Sequence, residues 1–171
     1  MKLLGAILVM TASCGIGFLC AGEITKRKKE LEEQYTLMRL ILGDIRYMRA
    51  TLPEAINKAI IRHQGSYAEF LRTTADMLAE APGISLSDIW KRAVGKSLQQ
   101  SSLNESDKQM LKSFGESLSV ADRENVMLCF EQYISELKEE INDISRVAGT
   151  KIKLYRSLGV LAGVFIVVLF I

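Results

Sequence analysis

The residues that could do chemistry in this chain are few and badly placed for it. Glu136, Glu139 and Glu140 supply the carboxylate density of half a di-iron site. Such a site also needs Glu-x-x-His pairs on facing helices, and the sole histidine, His63, is not in one. His63 falls near the end of a short helix, where the macrodipole favours a cation, with no carboxylate or cysteine at ligand spacing. Gly95-Lys96-Ser97 resembles the end of a phosphate-binding loop, but position 90, where the upstream glycine belongs, is Trp. Cys14, Cys20 and Cys129 are scattered and odd in number, so they make neither a disulfide framework nor a metal site. The residues therefore assign no catalytic, cofactor-binding or metal-binding role. What remains is chemistry of contact. Trp90 reads as a core or interface anchor, a partner contact if exposed, and Glu131, Glu136, Glu139 and Glu140 form the polar side of a helix that a partner could touch.

The elements behind these residues are helices. Few Pro and Gly in the middle of the chain, and hardly any alternating β-branched run, indicate an all-α protein. From Asp122 to Ile171 the chain reads as one long helix without proline. Val126, Phe130, Tyr133, Leu137, Ile141, Ile144 and Ala148 recur in steps of three and four, the stripe of an amphipathic helix. After Lys151, Lys153 and Arg156 it becomes apolar on every face. An N-terminal helix carries Leu31, Tyr35, Met38, Leu42 and Ile45 and ends near Ala50. Between these two, Thr51-Leu52-Pro53-Glu54 is a capping box with proline in the first turn. Ser66 with Glu69 caps a third helix, which ends at Pro82-Gly83. A fourth runs from about Ser85 to Leu98, and Asn104 with Asp107 starts a fifth. Ser119 is expected to cap the long final helix, with Asp122 at its third position. Gly115, just before that cap, suits either a close helix–helix approach or a left-handed C-cap. Short loops make this a bundle of about six helices.

Both ends look like membrane spans. Leu3–Gly22 carries no charge over about 20 residues, enough to cross about 30 Å of hydrocarbon. A cleaved signal peptide, or a lipoprotein cleavage site at Cys14, is the competing reading. The single lysine before the run, and an apolar stretch longer than a signal core, favour a retained helix. The second span, 155–171, is shorter: the 15 residues of Ser157–Ile171 cover about 22 Å, so Tyr155 and Arg156 must reach the interface and the bilayer must thin locally. A buried core helix is the alternative there. Gly159 and Gly163 form a small-residue face on which two spans could pack. Lys26, Arg27, Lys28 and Lys29 follow the first span, and Lys151, Lys153 and Arg156 precede the second. Basic flanks stay on the cytoplasmic side, so both clusters place the middle domain, 24–153, in the cytoplasm. Between Glu30 and Thr150, 14 Lys+Arg face 19 Asp+Glu, a balance of −5. That argues against nucleic acid as a partner and favours a basic protein surface.

One landmark series resembles the stage III sporulation protein AB family: Leu3-Leu4-Gly5-Ala6, Tyr47 before Thr51-Leu52-Pro53-Glu54-Ala55, Trp90, Phe114-Gly115, Leu118 followed by Asp122, and Leu158-Gly159-Val160-Leu161-Ala162-Gly163. Ser119 departs from it, standing where a second glycine is expected. The middle domain is also similar to the cytoplasmic domain of the inner-membrane platform protein of type II secretion and type IV pilus machines, through Gly83-Ile-Ser-Leu-Ser and Phe-Gly-Glu-Ser-Leu. What the resemblance implies is a membrane protein of the channel between mother cell and forespore, with a cytoplasmic assembly ATPase and the other channel proteins as partners. No cofactor is implied, and a homo-oligomer is left open. The alternatives are a double-anchored helical sensor, a general membrane scaffold, or a membrane enzyme for which the residue inventory offers almost no candidates.

Overall fold

A computed structural model describes the backbone of residues 2–62, 66–80 and 83–170, with side-chain detail chiefly between residues 22 and 147. Among the described residues there are six helices and no strand, so the all-α expectation holds. They are α1 (Lys2–Met48), α2 (Leu52–Arg62), α3 (Ser66–Glu80), α4 (Leu86–Ser97), α5 (Glu105–Val120) and α6 (Arg123–Phe170).

Local capping fixes most of the starts. The Ser85 hydroxyl accepts from the Asp88 N–H at 3.2 Å to open α4. Asn104 and Asp107 satisfy each other's backbone N–H groups at 2.8 and 3.0 Å, a complete capping box for α5. The Thr51 N–H donates to Glu54 Oε2 at 2.8 Å at the start of α2, with Pro53 in its first turn. One cap differs from expectation. Ser119 lies inside α5, and Asp122 takes the N-cap of α6, accepting from the Asn125 N–H at 2.9 Å. A charged acceptor suits that place, because the helix N-terminus carries the positive end of the macrodipole. Gly83, at φ 109°, makes the turn before α4 in a region other residues avoid.

The chain divides into two compact units, one of residues Lys29–Ile141, the other of Met1–Lys28 with Asn142–Ile171. In the first, α2, α3, α4 and α5 pack as neighbours in sequence order. An aromatic ladder threads α3, α4 and α5: Tyr67 on Phe70 at 5.1 Å, Phe70 edge-on to Trp90 at 5.1 Å, and Trp90 edge-on to Phe114 at 5.6 Å. Phe114 then meets Phe130 at 5.0 Å and stacks on Tyr133 of α6 at 4.3 Å. Such pairs add to plain area burial. Trp90 is 1% exposed, and its indole N–H donates to the Leu111 carbonyl at 3.0 Å. Gly115 sits in the middle of α5, not at a C-cap, and Trp90 lies against it. A Cβ there would fall 2.8 Å from Trp90 Cβ and nearer still to the ring.

α1 joins through Leu31, Leu37, Met38, Ile41 and Leu42, all buried, while Tyr35 stays half-buried beneath the Arg39 guanidinium at 5.6 Å. Gln34, also buried, donates its amide to the Tyr133 hydroxyl. Gln34 Oε1 and the nearby buried Tyr67 hydroxyl have no hydrogen-bond partner. Burial pushes both phenols well above their ordinary value near 10, and at Tyr133 the Gln34 amide offsets this only in part.

In the second unit the ends of α1 and α6 are helical. Among the described residues no helix is long and apolar enough to cross a membrane. Most side chains of the expected spans 3–22 and 155–171 lie outside the described residues, as do those of Lys151, Lys153, Arg156, Gly159 and Gly163. His63 and Pro82 also lie outside them.

Two outcomes test this core. Gly115→Ala forces the indole aside and lowers stability by about 1–3 kcal/mol, despite alanine's better helix propensity; chemical denaturation measures it. Tyr133→Phe strands the Gln34 amide and costs about 1–3 kcal/mol, whereas Tyr67→Phe, which loses an unpartnered hydroxyl, costs little. Because both folded phenols titrate above their unfolded value, the stability they confer is complete below pH 10 and is lost as pH rises past it. Circular dichroism followed together with tyrosinate absorbance shows the two changes in step.

Candidate functional site

Where α1 ends and α6 begins, the bundle opens into a groove of about 700 Å³. Its construction starts at Arg49. α1 stops at Met48, and Arg49 adopts the left-handed conformation, φ 53°, that glycine usually supplies. The turn closes as the Ala50 N–H donates to the Asp44 carbonyl at 3.2 Å. Asp44, nearly buried, also pairs with Arg62 at 3.6 Å, which ties the far end of α2 back to α1. Glu54 then holds Thr51, and that bond from the Thr51 backbone keeps the Glu54 carboxyl below its usual range. On the other side, Asp122 caps α6 and places Val126 and Met127 along the opening. An ion pair between Arg46 and Glu131 links α1 to α6.

The lining is mixed. Ile45, Leu52, Val126 and Met127 are apolar, and Arg46 and Arg49 bring two guanidiniums. Next to them in the chain stand three large, exposed apolar residues: Tyr47 (81%), Met48 (63%) and Leu128 (59%). A second, smaller hollow of about 80 Å³ between α5 and α6 touches Cys129, Gln132 and Glu136 and has room for little beyond water. Among the described residues no group of His, Cys, Asp or Glu is arranged to hold a metal ion.

The residues singled out from sequence do not converge on this groove. Trp90 must be corrected as a partner contact: it is buried against Gly115 and spends its one donor on Leu111. Glu131 reaches the groove edge but is engaged by Arg46. Glu136 is half-buried and accepts from Gln132 at 3.0 Å, Glu139 is exposed, and Glu140 is half-buried and already engaged. Lys26 and Lys29 are exposed, while Arg27 and Lys28 are half-buried and engaged. Pro53 is exposed in the first turn of α2. The groove itself was missed. Its signal is Tyr47-Met48-Arg49-Ala50, where a helix ends without glycine and large apolar residues stand directly before a cap.

The arrangement defines an all-helical bundle with an open groove lined by apolar and cationic side chains. The chain belongs to the stage III sporulation protein AB family, whose sequence profile matches residues 2–171. It is 24% identical over 169 residues to stage III sporulation protein AB of Bacillus subtilis (strain 168), covering 99% of this chain and 98% of that one. A solved structure of stage III sporulation protein AB superposes with a TM-score of 0.65 at 18% identity, over 72% of this chain and 97% of the other, and so shares the fold.

The left-handed turn gives a direct test. Replacing Arg49 with Gly removes a backbone cost of about 1–2 kcal/mol, against some loss of unfolded-state restriction, so Arg49→Gly raises the thermal midpoint by a few degrees. Separately, Glu54, whose folded carboxyl titrates below its unfolded value, contributes stability above the unfolded value that disappears as pH falls through the folded one. Glu54→Gln flattens that acid limb in a pH series of melts.

Proposed function

We propose that this protein is a non-enzymatic, membrane-anchored component of the stage III sporulation machinery, and that it couples a cytoplasmic ATPase to the channel between mother cell and forespore. The observation that carries the proposal is the family match, which runs over residues 2–171. The residue chemistry is consistent with it. The bundle presents a groove and exposed apolar side chains at one end, where Asp122, Asp44 and Glu131 are held in a cap and two ion pairs.

In this reading residues 3–22 and 155–171 anchor the chain, and the basic residues beside them hold the bundle in the mother-cell cytoplasm. The acidic side of α6 from Glu131 to Glu140 offers a second contact, toward a basic surface of another channel protein. Lateral association of the anchors through Gly159 and Gly163 would add a contact within the membrane.

Sidedness decides first. A single cysteine at Gln100, which is exposed, replaces the three native cysteines as the only thiol. Ser101 is less suitable, being half-buried with its hydroxyl bonded to the Leu98 carbonyl at 2.8 Å. The expected outcome is protection from an impermeant thiol reagent in intact cells and labelling after lysis, together with co-purification of an ATPase. Labelling in intact cells overturns the cytoplasmic placement and the coupling role with it.

A further inference from the structure

We propose that the groove between the end of α1 and the start of α6 is the docking site for an amphipathic helix of another protein that carries carboxylates on its polar edge. This rests on the reading that the protein works by binding, and goes beyond it by naming the surface and the chemistry of the partner.

The charges around the groove are almost all used. Arg46 pairs with Glu131, Asp44 with Arg62, Glu54 accepts from the Thr51 N–H and Asp122 from the Asn125 N–H. Arg49 has no acidic partner among the described residues, and it lines the opening. It also holds a backbone conformation in which glycine or asparagine would be cheaper. A turn serving only to join α1 to α2 has no need of an arginine there. Strain kept at an exposed site points to use of the side chain. A guanidinium offers the planar fork that matches a carboxylate with two parallel hydrogen bonds.

The rest of the lining sets the size and shape of the partner. A small anion would satisfy Arg49 and leave Leu52, Val126 and Met127 wet. A volume of about 700 Å³ takes several side chains at once, the scale of a helix laid in a groove with anchors at i, i+3 or i+4 and i+7. Met127 inside the groove and Met48 beside it provide the adaptable thioether surface common at helix-binding sites. Tyr47 and Leu128, exposed and next in the chain to lining residues, add apolar surface at this end of the bundle. The charged side chains of the lining are Arg46, matched by Glu131, and Arg49, so what the groove itself offers a partner is a cation, whereas the acidic side of α6 offers carboxylates.

The test uses the full chain in sporulating cells. A photo-reactive amino acid replaces Leu52 in one variant, Met127 in a second, both lining the groove, and Arg92, exposed on α4, in a control. Cross-linked peptides are mapped by mass spectrometry. The expected result is one partner segment captured from both groove positions and not from Arg92, helical in pattern and bearing carboxylates. Its yield falls at least about tenfold when Arg49→Gly or Arg49→Glu is added, and reversing the partner's carboxylates to lysine restores Arg49→Glu. Arg49→Gly keeps the bundle folded, so its loss of capture reports on the side chain. The proposal is overturned by no adduct at either groove position, by an adduct to a second copy of this chain, by a segment without carboxylates, or by a yield indifferent to Arg49→Gly. Capture of a carboxylate-bearing helix from a protein other than an ATPase supports the groove and removes the ATPase coupling.

Discussion

Everything in the Lys29–Ile141 bundle leans on the contact between Trp90 and Gly115. A tryptophan is too large to bury between two helices at ordinary separation, and a glycine removes the atom that would stand in its way. With the indole seated on α5, its edge meets Phe70 on one side and Phe114 on the other. Its N–H reaches a carbonyl of the same helix that receives it. One absent methyl group thus sets the spacing of α4 and α5, and the ladder carries that spacing outward to α3 and α6.

The groove depends on this core indirectly. It is made by helix ends, and helix ends go where their rods are held. Caps and ion pairs then do the local work: Asp122 starts α6, Glu54 starts α2, and Asp44 ties Arg62 to the last turn before Arg49. These polar groups lie close together at one end of the bundle and neutralise one another with little to spare. A surface so internally matched has low attraction for solvent ions, which leaves its apolar side chains and the unmatched guanidinium as the features another protein can recognise.

How much of this was legible in the sequence follows from the range of each interaction. Asn104 with Asp107, Ser85 with Asp88 and Thr51 with Glu54 act within one turn, and the starts of α5, α4 and α2 were readable from them. Ser119 and Asp122 competed for one cap within four residues, and the carboxylate won. Gln34 was invisible as a core residue because its partner, Tyr133, stands 99 positions away. Trp90 was readable as an anchor but not as a buried one until Gly115 was placed beneath it. The groove required the left-handed turn at Arg49, which no glycine marks, so its one trace in the sequence is the pair of large apolar residues standing before the Thr51 cap.

The aromatic ladder also orders the birth of the fold. Its rungs join helices in the sequence in which a ribosome delivers them, from α3 to α6, so each new helix finds its contacts on the one made just before. Residues 29–48 of α1 are different. Made before the rest of the bundle, they are held by Glu30, whose carboxylate accepts the Ser102 N–H at 3.0 and 3.1 Å, and by Gln34 on Tyr133. These partners come 72 and 99 residues later. Contacts so distant close late, because the intervening loop must first be ordered. During translation the inner side of this segment, Leu31, Leu37 and Ile41, is therefore made well before these distant contacts can hold it, and it is this interval that a chaperone would have to guard.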